Sequence, residues 1–501
     1  MKKWLSFLWR LFRAVFSKRG MLVIGGLALT LFLVGILYHA VYNHIAERDW
    51  EEAKERWENE LGGKTRADIF KQVPSVLNIG QDERVIAYFE QEEPPLDQIS
   101  YMPLSEHSEY VIYEGRGKSA LDFFVEGSFE TEKEAAEYLL GLLEPYEGDI
   151  ELFENWFDRE FSTMSGMREP LSIESLKNNS VSEEIKYVNV ARFFVSRSRY
   201  RMQAHQWEAA SEDLKRVANA YRSLGNDPLL VNFLLKLSYL HDTRDLFASG
   251  VREHSWNEET LRFLDKILSA VDLKSFYQRV PIGEYYYLHD FIELYAIHGQ
   301  EKVNQLLYNQ YEEMLSFLVD EKDELIDWDA LIDEVMLFLL PEKIAMRGAA
   351  DSAHFGINYA MPAYAKAPHV DVYIELKGAV PQYSWWRLSP EQASPIYVNQ
   401  YTGYLAGITT HQLMRCAIAL ELYYLEHGAY PKSLTELKGL ETEDYRNVFG
   451  EGALYYEVLE DGHYKLYSNG PSEEVKPIRG YVDEEERPNY NRIDFFEGMK
   501  S

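Results

Sequence analysis

The sequence contains a single cysteine, Cys416, and this scarcity excludes several kinds of protein. One thiol cannot form an intramolecular disulfide, and it cannot supply the paired cysteines of a structural zinc site. Basic residues are also few, since 51 Lys and Arg stand against 82 Asp and Glu in 501 residues, a net charge of -31. Because such a surface repels phosphate, we expect no nucleic acid among the partners.

Common catalytic motifs are absent as well. There is no Gly-x-Ser-x-Gly and no His-Glu-x-x-His, and Gly117-Lys118-Ser119 lacks the first glycine of a phosphate-binding loop. Cys416 falls on the apolar side of a predicted helix, where a buried thiol is expected rather than a nucleophile. We therefore expect a protein that is not an enzyme and has no cofactor. The alternative is a hydrolase that uses carboxylates in an aromatic-lined cleft.

One long hydrophobic run, Met21 to Tyr42, contains no Asp, Glu, Lys or Arg. At ~1.5 Å per residue it is long enough to cross a ~30 Å hydrocarbon core as a helix. A cleaved signal peptide, the alternative, has an apolar region of only ~7–15 residues and a small-x-small cleavage site, which Tyr38-His39-Ala40 does not provide. We therefore predict an uncleaved transmembrane helix over residues 21–42.

Charge sets the orientation of this helix. Every charged residue before Glu47 is basic, and there are six of them, so residues 1–20 form a basic amphipathic segment on the cytoplasmic side. Removing those six from the count leaves 45 basic and 82 acidic residues, a charge of -37 on an exported body. Residues 43–73 predict a stalk helix that carries Trp50 and Trp57.

The body divides by pattern into two regions before its C-terminal part. Residues 74–181 mix short apolar runs with acidic connectors and predict a small α+β region. Residues 182–345 have helical periodicity and predict a helical bundle or irregular solenoid, whose first hairpin is similar to a tetratricopeptide hairpin. Basic residues cluster in that hairpin. We expect them to pair with acidic residues on the facing helix, with anion binding as the alternative; the predicted partners are Glu208, Glu212 and Asp213.

The C-terminal region, 346–501, has the most regular pattern. A long helix is predicted over 408–428 and ends at Gly428. Ser433 and Glu436 then have the spacing of a capping box. A β-hairpin is predicted over 453–468, with its turn at Asp461-Gly462.

These C-terminal residues carry a resemblance. The string ALELYYLEHGAYPKSLTEL, which includes Pro431, precedes FGEGALYY and DGHYKLYSNGP. This order resembles the C-terminal pattern of an uncharacterised group of planctomycete and verrucomicrobial membrane-anchored proteins, and it is similar to the globular region of type II secretion pseudopilins. The resemblance covers about 90 residues. It implies a location in a bacterial inner membrane with the body in the periplasm, and it implies no activity.

The chain departs from pseudopilins in its membrane segment, which lacks their processing site and lies hundreds of residues before the matching helix. We therefore do not expect a pilus subunit. In pseudopilins the loop after the hairpin often binds calcium, and the corresponding loop here keeps several carboxylates without the usual spacing. We interpret it as a solvated acidic tail, with a calcium site as the alternative; its candidate ligands are Asp483, Glu484, Glu485 and Asp494.

Two further sets of residues are candidates for binding. His289 and Glu293 are one helical turn apart and could share a metal ion, but without a second histidine at that spacing a hydrogen-bonded helix surface is the favoured interpretation. Aromatic clusters could stack on a sugar or peptide, or they could belong to the core; these are Tyr285 and Tyr286, and Trp385 and Trp386.

The patterns together predict a mainly α protein with an α+β segment, one N-terminal transmembrane helix, a helical-hairpin middle, and a C-terminal helix plus β-hairpin. The function that fits them is that of a single-pass, membrane-anchored envelope protein. Its acidic body would act as a binding or scaffolding module for a protein partner in a secretion- or envelope-related assembly.

Overall fold

A computed structural model describes most of the chain. The described residues are 18–70, 82–89, 91, 96, 131–159, 172, 180–223, 227–253, 255–299, 344–366, 368–379, 393–459, 462–468 and 493–494. Within these ranges, backbone alone is described for residues 18–35, 132, 180–186, 188, 344–345, 348, 393–399 and 493–494. Trp385, Trp386, Asp461 and the acidic residues 483–485 therefore lie outside the described part.

The described residues form a mainly helical protein with a small antiparallel β-hairpin near the C-terminus, which confirms that part of the predicted fold class. The backbone divides into two compact units. Of the described residues, the first unit contains 18–60 and 344–354, and the second contains the others.

The first unit contains helix α1, Lys18–Leu61, which is 44 residues long and continues through the predicted span into the predicted stalk. Apolar residues at a spacing of three or four line one side of its second half and are buried; they are Ala46, Trp50, Ala53 and Trp57. They belong to the same unit as the small residues Ala349, Ala350 and Ala353 of a second helix, Ile344–Phe355. The indole N–H of Trp57 donates to the carbonyl of Ala353 at 3.1 Å, and Arg347 pairs with Asp49.

Between residues 36 and 41, α1 exposes apolar side chains. Ile36 is 52%, Leu37 64% and Val41 50% exposed. Among the residues described in full, no helix combines the length and the apolarity needed to cross a membrane. Residues 21–35 contribute backbone only, so the transmembrane segment over 21–42 stays a prediction.

The second unit begins where α1 ends. Gly62 and Gly63 have φ values of +60° and +83°, a backbone conformation that residues with a Cβ rarely adopt, and they terminate α1 twelve residues before the predicted end of the stalk. A short helix, α2 (Arg66–Ile69), follows. In the region predicted as α+β, the described residues form helices: α3 (Glu83–Phe89), α4 (Glu132–Gly141), a 3₁₀ turn (Glu144–Tyr146) and α5 (Glu147–Phe157). The apolar run at 84–89 is therefore helical.

A helical bundle forms the centre of the second unit. Its helices are α6 (Ser180–Gln203), α7 (Trp207–Ser223), α8 (Leu230–Arg252), α9 (Glu258–Ala270) and α10 (Leu273–His298). The first two are antiparallel neighbours, as the hairpin pattern predicts, and the main core lies between them and the later helices. Tyr221, Phe247 and Leu264 are fully buried there.

Helix α11 (Ile344–Phe355) passes from the first unit into the second. It continues as a π-helical turn (Gly356–Ala360) and α12 (Met361–Ala365), and then comes α13 (Val370–Ala379). These elements enclose a second core rich in tyrosine. The rings of Tyr277 and Tyr404 are stacked, with centroids 4.2 Å apart and an interplanar angle of 3°.

The C-terminal helix α14 spans Ala393–His427, so it begins fifteen residues before the predicted start at 408. Its glycines Gly403 and Gly407 face Leu237 of α8, and this close packing explains why they do not interrupt the helix. Strands β1 (Tyr455–Val458) and β2 (Tyr464–Ser468) pair antiparallel, and a short β3 (Ile493–Asp494) pairs with β2. Leu454 and Leu466 share the main core with α14.

Candidate functional site

The His289 and Glu293 pair lies on the outer surface of α10. The imidazole Nε2 is 3.7 Å from Glu293 Oε1, and the Glu293 side chain is 61% exposed. Among the residues that the structure describes, no group of three His, Cys, Asp or Glu side chains is arranged to hold a metal ion. The geometry corresponds to a contact between two side chains one turn apart on a helix surface.

The two described aromatic candidates, Tyr285 and Tyr286, contact the protein's own chain. Tyr285 is 4% exposed. The Tyr286 ring packs against Phe70 with centroids 6.2 Å apart, and its hydroxyl donates to the carbonyl of Lys64 at 3.2 Å. The guanidinium of Arg66 lies 5.9 Å from the centre of the Tyr286 ring. These rings hold the segment after α1 on α10, and a ligand role for them stays a prediction.

The candidate calcium ligands are mostly outside the described part of the chain. For Asp494 the structure gives the backbone, which pairs with Tyr467 in the sheet. The calcium site therefore also stays a prediction.

The residues singled out in the C-terminal motif lie around the end of α14. Gly428 follows the last residue of the helix with φ +71°, and its N–H donates to the carbonyl of Tyr424. Ser433 caps a 3₁₀ turn (Leu434–Glu436), and Glu436 accepts a hydrogen bond from the N–H of Lys432. The carbonyl of Pro431 accepts from the Tyr456 hydroxyl at 2.7 Å, which attaches the turn to β1.

A groove of about 440 Å³ lies between α3 and α5. The indole of Trp156 donates to Asp82 Oδ2 at 2.9 Å and holds the start of α3 against α5. A Cβ added at Gly148 would meet nothing within 4 Å, so the space above this residue is open. The groove is lined by both helices and the residues after them, namely Arg84, Ala87, Tyr88, Gln91, Gly148, Asp149, Glu151, Leu152 and Asn155.

The lining of this groove has an excess of negative charge. Burial raises the pKa of Asp149, which lies in the first turn of α5. The other charged lining residues are Glu151, which is exposed, and Arg84. A surface of this kind favours a cationic ligand. No sequence pattern indicates this groove, because it forms where two short helices meet. The buried side chains of Tyr88, Phe153 and Trp156 bring these helices together.

Several titratable groups lie inside the second unit. Burial lowers the pKa of Lys236 to about 7, and its ammonium donates to the carbonyl of Tyr221 at 3.0 Å. Burial raises the pKa of Glu284 to about 7, although the hydrogen bond from the N–H of Leu230 opposes this shift. Burial also lowers the pKa of His411 to about 4 and raises that of Cys416 to about 12, which makes this thiol a weak nucleophile. Each of these groups supports a helix end or the core.

Comparisons of the chain with protein-family models, with curated proteins and with solved structures find no match.

Proposed function

We propose that this protein is a single-pass, membrane-anchored binding module of the bacterial envelope, with a cytoplasmic N-terminus and a periplasmic body. Helix α1 carries this proposal. Its 44 residues correspond to ~66 Å, about twice the hydrocarbon thickness, so one helix can contain both the transmembrane segment and the stalk. The exposed Ile36, Leu37 and Val41 lie at the far end of the apolar run, where lipid would cover them.

The groove between α3 and α5 supports binding as the activity of the body. Its lining carries Asp149 and Glu151 against Arg84, and this excess of negative charge suits a basic segment of a protein partner, because opposite charges steer and orient association. The body as a whole has the same sign, with 45 basic against 82 acidic residues after the first 46. A second copy of the chain would be repelled by this surface.

Nothing in the described part of the chain favours the hydrolase alternative. Two of the described carboxyls have a strongly raised pKa, and these, Glu284 and Glu421, lie on different helices and have different neighbours. A glycosidase needs two carboxyls ~5–10 Å apart across one cleft.

Reporter fusions test the anchor. A periplasm-dependent reporter joined after Gly63 in the full N-terminal segment should be active. A variant with Leu31→Arg and Leu33→Arg should abolish that activity, because each charge at the bilayer centre costs ~2.5–3.5 kcal/mol on insertion scales. The control, Leu31→Ile with Leu33→Ile, should behave as the parent. Activity confined to a cytoplasmic reporter would refute the proposed topology.

Site-specific photocrosslinking in native membranes tests the groove. A probe at Glu151 should yield a discrete product with a basic partner, and Gly148→Trp, which fills the open space, should remove that product. A probe at Arg262, which is 67% exposed on α9, is the matched control and should not yield it. Identical products from both positions, or no change with Gly148→Trp, would overturn the binding role of the groove.

A further inference from the structure

A buried carboxyl lies under the C-terminal hairpin. Glu421 of α14 is 5% exposed. The hydroxyl of Tyr430, in the turn after the helix, donates to Glu421 Oε1 at 2.7 Å, and the hydroxyl of Tyr464 in β2 also faces the carboxyl. The rings of Tyr430 and Tyr464 meet edge to face, with centroids 4.7 Å apart. Three separate segments therefore converge on one carboxyl.

This carboxyl is part of the attachment of the hairpin to the helix. Tyr464 is 5% exposed on the inner side of β2, and Leu466 is 1% exposed beside it. Tyr456 in β1 packs near Tyr464 and donates to Pro431. Opening the hairpin would uncover Glu421 together with the apolar side of α14 that includes Ala417 and Leu420.

The environment of Glu421 disfavours its charge. Burial raises its pKa to about 7, and this effect outweighs the two tyrosine hydroxyls and the nearby imidazole, which favour ionisation. The titratable groups around the cluster come from the helix, the turn, the 3₁₀ turn and both strands; they are Cys416, Tyr424, Tyr430, Glu436, Tyr456, His463 and Tyr464.

We propose that Glu421 is a pH-sensitive latch, whose protonated carboxyl holds β1 and β2 on α14 and whose ionisation favours release of the hairpin. This inference does not depend on the proposed function. It gives the C-terminal segment two states, of which the open one exposes an apolar helix surface.

The direction of the effect follows from proton linkage. Below the ordinary value of 4.5 the carboxyl is protonated whether the hairpin is closed or open, so opening is insensitive to pH. Between 4.5 and about 7 the open form loses its proton while the closed form keeps it, so opening increases. The opening constant should rise ~40-fold from pH 5 to pH 7 and level off above pH 8.

Hydrogen exchange of the full-length protein in nanodiscs tests the latch. Protection factors for residues 453–468, corrected for the intrinsic pH dependence of exchange, should fall ~40-fold from pH 5 to pH 7. Glu421→Gln should remove this fall. Glu457→Gln, at an exposed position in β1, is the matched control and should keep it.

A second variant keeps the test decisive if Glu421→Gln fails to fold. Tyr430→Phe removes a donor that favours the ionised carboxyl, so the midpoint of the fall should move to higher pH. An unchanged fall in Glu421→Gln, an unshifted midpoint in Tyr430→Phe, or parent protein with pH-independent protection would each overturn the proposal.

Discussion

Arg197 and Asp213 form a bidentate ion pair inside the helical bundle. Nε of Arg197 donates to Oδ2 at 2.9 Å and Nη2 donates to Oδ1 at 2.5 Å, and both residues are buried. Arg201 and Arg216 donate to the same carboxylate, at 2.7 and 3.0 Å. Glu154 also pairs with Arg197 and Arg216, and the buried charge of Asp213 joins α6 to α7.

Removing that charge should strongly destabilise the protein. We expect Asp213→Asn to lower the free energy of unfolding by about 3 kcal/mol, the lower end of the range for a broken buried pair, because Arg201 loses its carboxylate while Glu154 still pairs with Arg197 and Arg216. Urea unfolding followed by tryptophan fluorescence measures this. The control is Glu259→Gln, since Glu259 pairs with Lys215 but is 81% exposed, and it should change the stability much less. Equal costs for the two variants would contradict this account.

Gly283 allows α10 to approach the segment before α8. A Cβ at this position would overlap the carbonyl oxygen of Pro228, a backbone atom that cannot rotate away. We expect Gly283→Ala to destabilise the protein by ~1–3 kcal/mol despite the better helix propensity of alanine. Gly378→Ala, where a Cβ meets nothing within 4 Å, is the control and should be neutral or stabilising by up to ~1 kcal/mol. The midpoint of thermal unfolding, measured for both variants, shows whether Gly283→Ala is destabilised while Gly378→Ala is not.

Glu284 of α10, which is distant in sequence, caps the start of α8, since its carboxylate accepts a hydrogen bond from the N–H of Leu230 at 2.7 Å. Its folded pKa of about 7 exceeds the ordinary 4.5, so the parent loses stability as pH rises from 4.5 to 7. Glu284→Gln keeps the acceptor and abolishes the titration. It should match the parent at pH 4 and exceed its stability by ~1–3 kcal/mol at pH 8. A parent more stable than the variant at pH 8 would refute this prediction.

Lys236 should make the stability of the protein rise with pH, which is the opposite of the effect of Glu284 and occurs at higher pH. Its ammonium is buried, with a folded pKa of about 7 against the ordinary 10.5, so it destabilises the fold below pH 7 and ceases to do so as pH rises toward 10.5. The parent should gain ~2 kcal/mol between pH 7 and pH 9 from this group. In Lys236→Met this increase of stability with pH should be absent, and urea unfolding at the two pH values measures it. The same slope in parent and variant would assign it to other groups.

The predictable features of the fold were local ones. Helical periodicity indicated the α6–α7 hairpin, and the residues after α14 lie where turn chemistry placed them, with Gly428 at its end and Gly462 at φ +87° between β1 and β2. The start of α14 was predicted fifteen residues late, because Gly403 and Gly407 weaken the helical pattern while their packing against Leu237 is not visible in a single segment.

The chemistry inside the body was harder to predict, because it depends on residues distant in sequence. Of the three expected partners of the basic cluster, Asp213 pairs across the hairpin, Glu212 pairs with Lys215 of its own helix, and no ion pair of Glu208 is found among the described residues. Glu154, which lies 43 residues before Arg197 and belongs to no local pattern, also joins the network. Glu421 and Lys236 looked like ordinary helix residues. Their raised and lowered pKa values result from burial by other elements.

The continuity of α1 has a geometric consequence. In an α-helix each residue advances the chain by ~1.5 Å and turns it by ~100°, so the exposed apolar residues at 36–41 and the buried side with Ala46 and Trp57 have a fixed angular relation about the helix axis. One residue inserted between Tyr42 and Ala46 would turn these two surfaces by ~100° relative to each other, whereas seven would nearly restore their alignment. If residues 21–42 span a membrane, as proposed, the membrane would thus fix the direction in which the Ala46–Trp57 side faces as well as its distance from the bilayer.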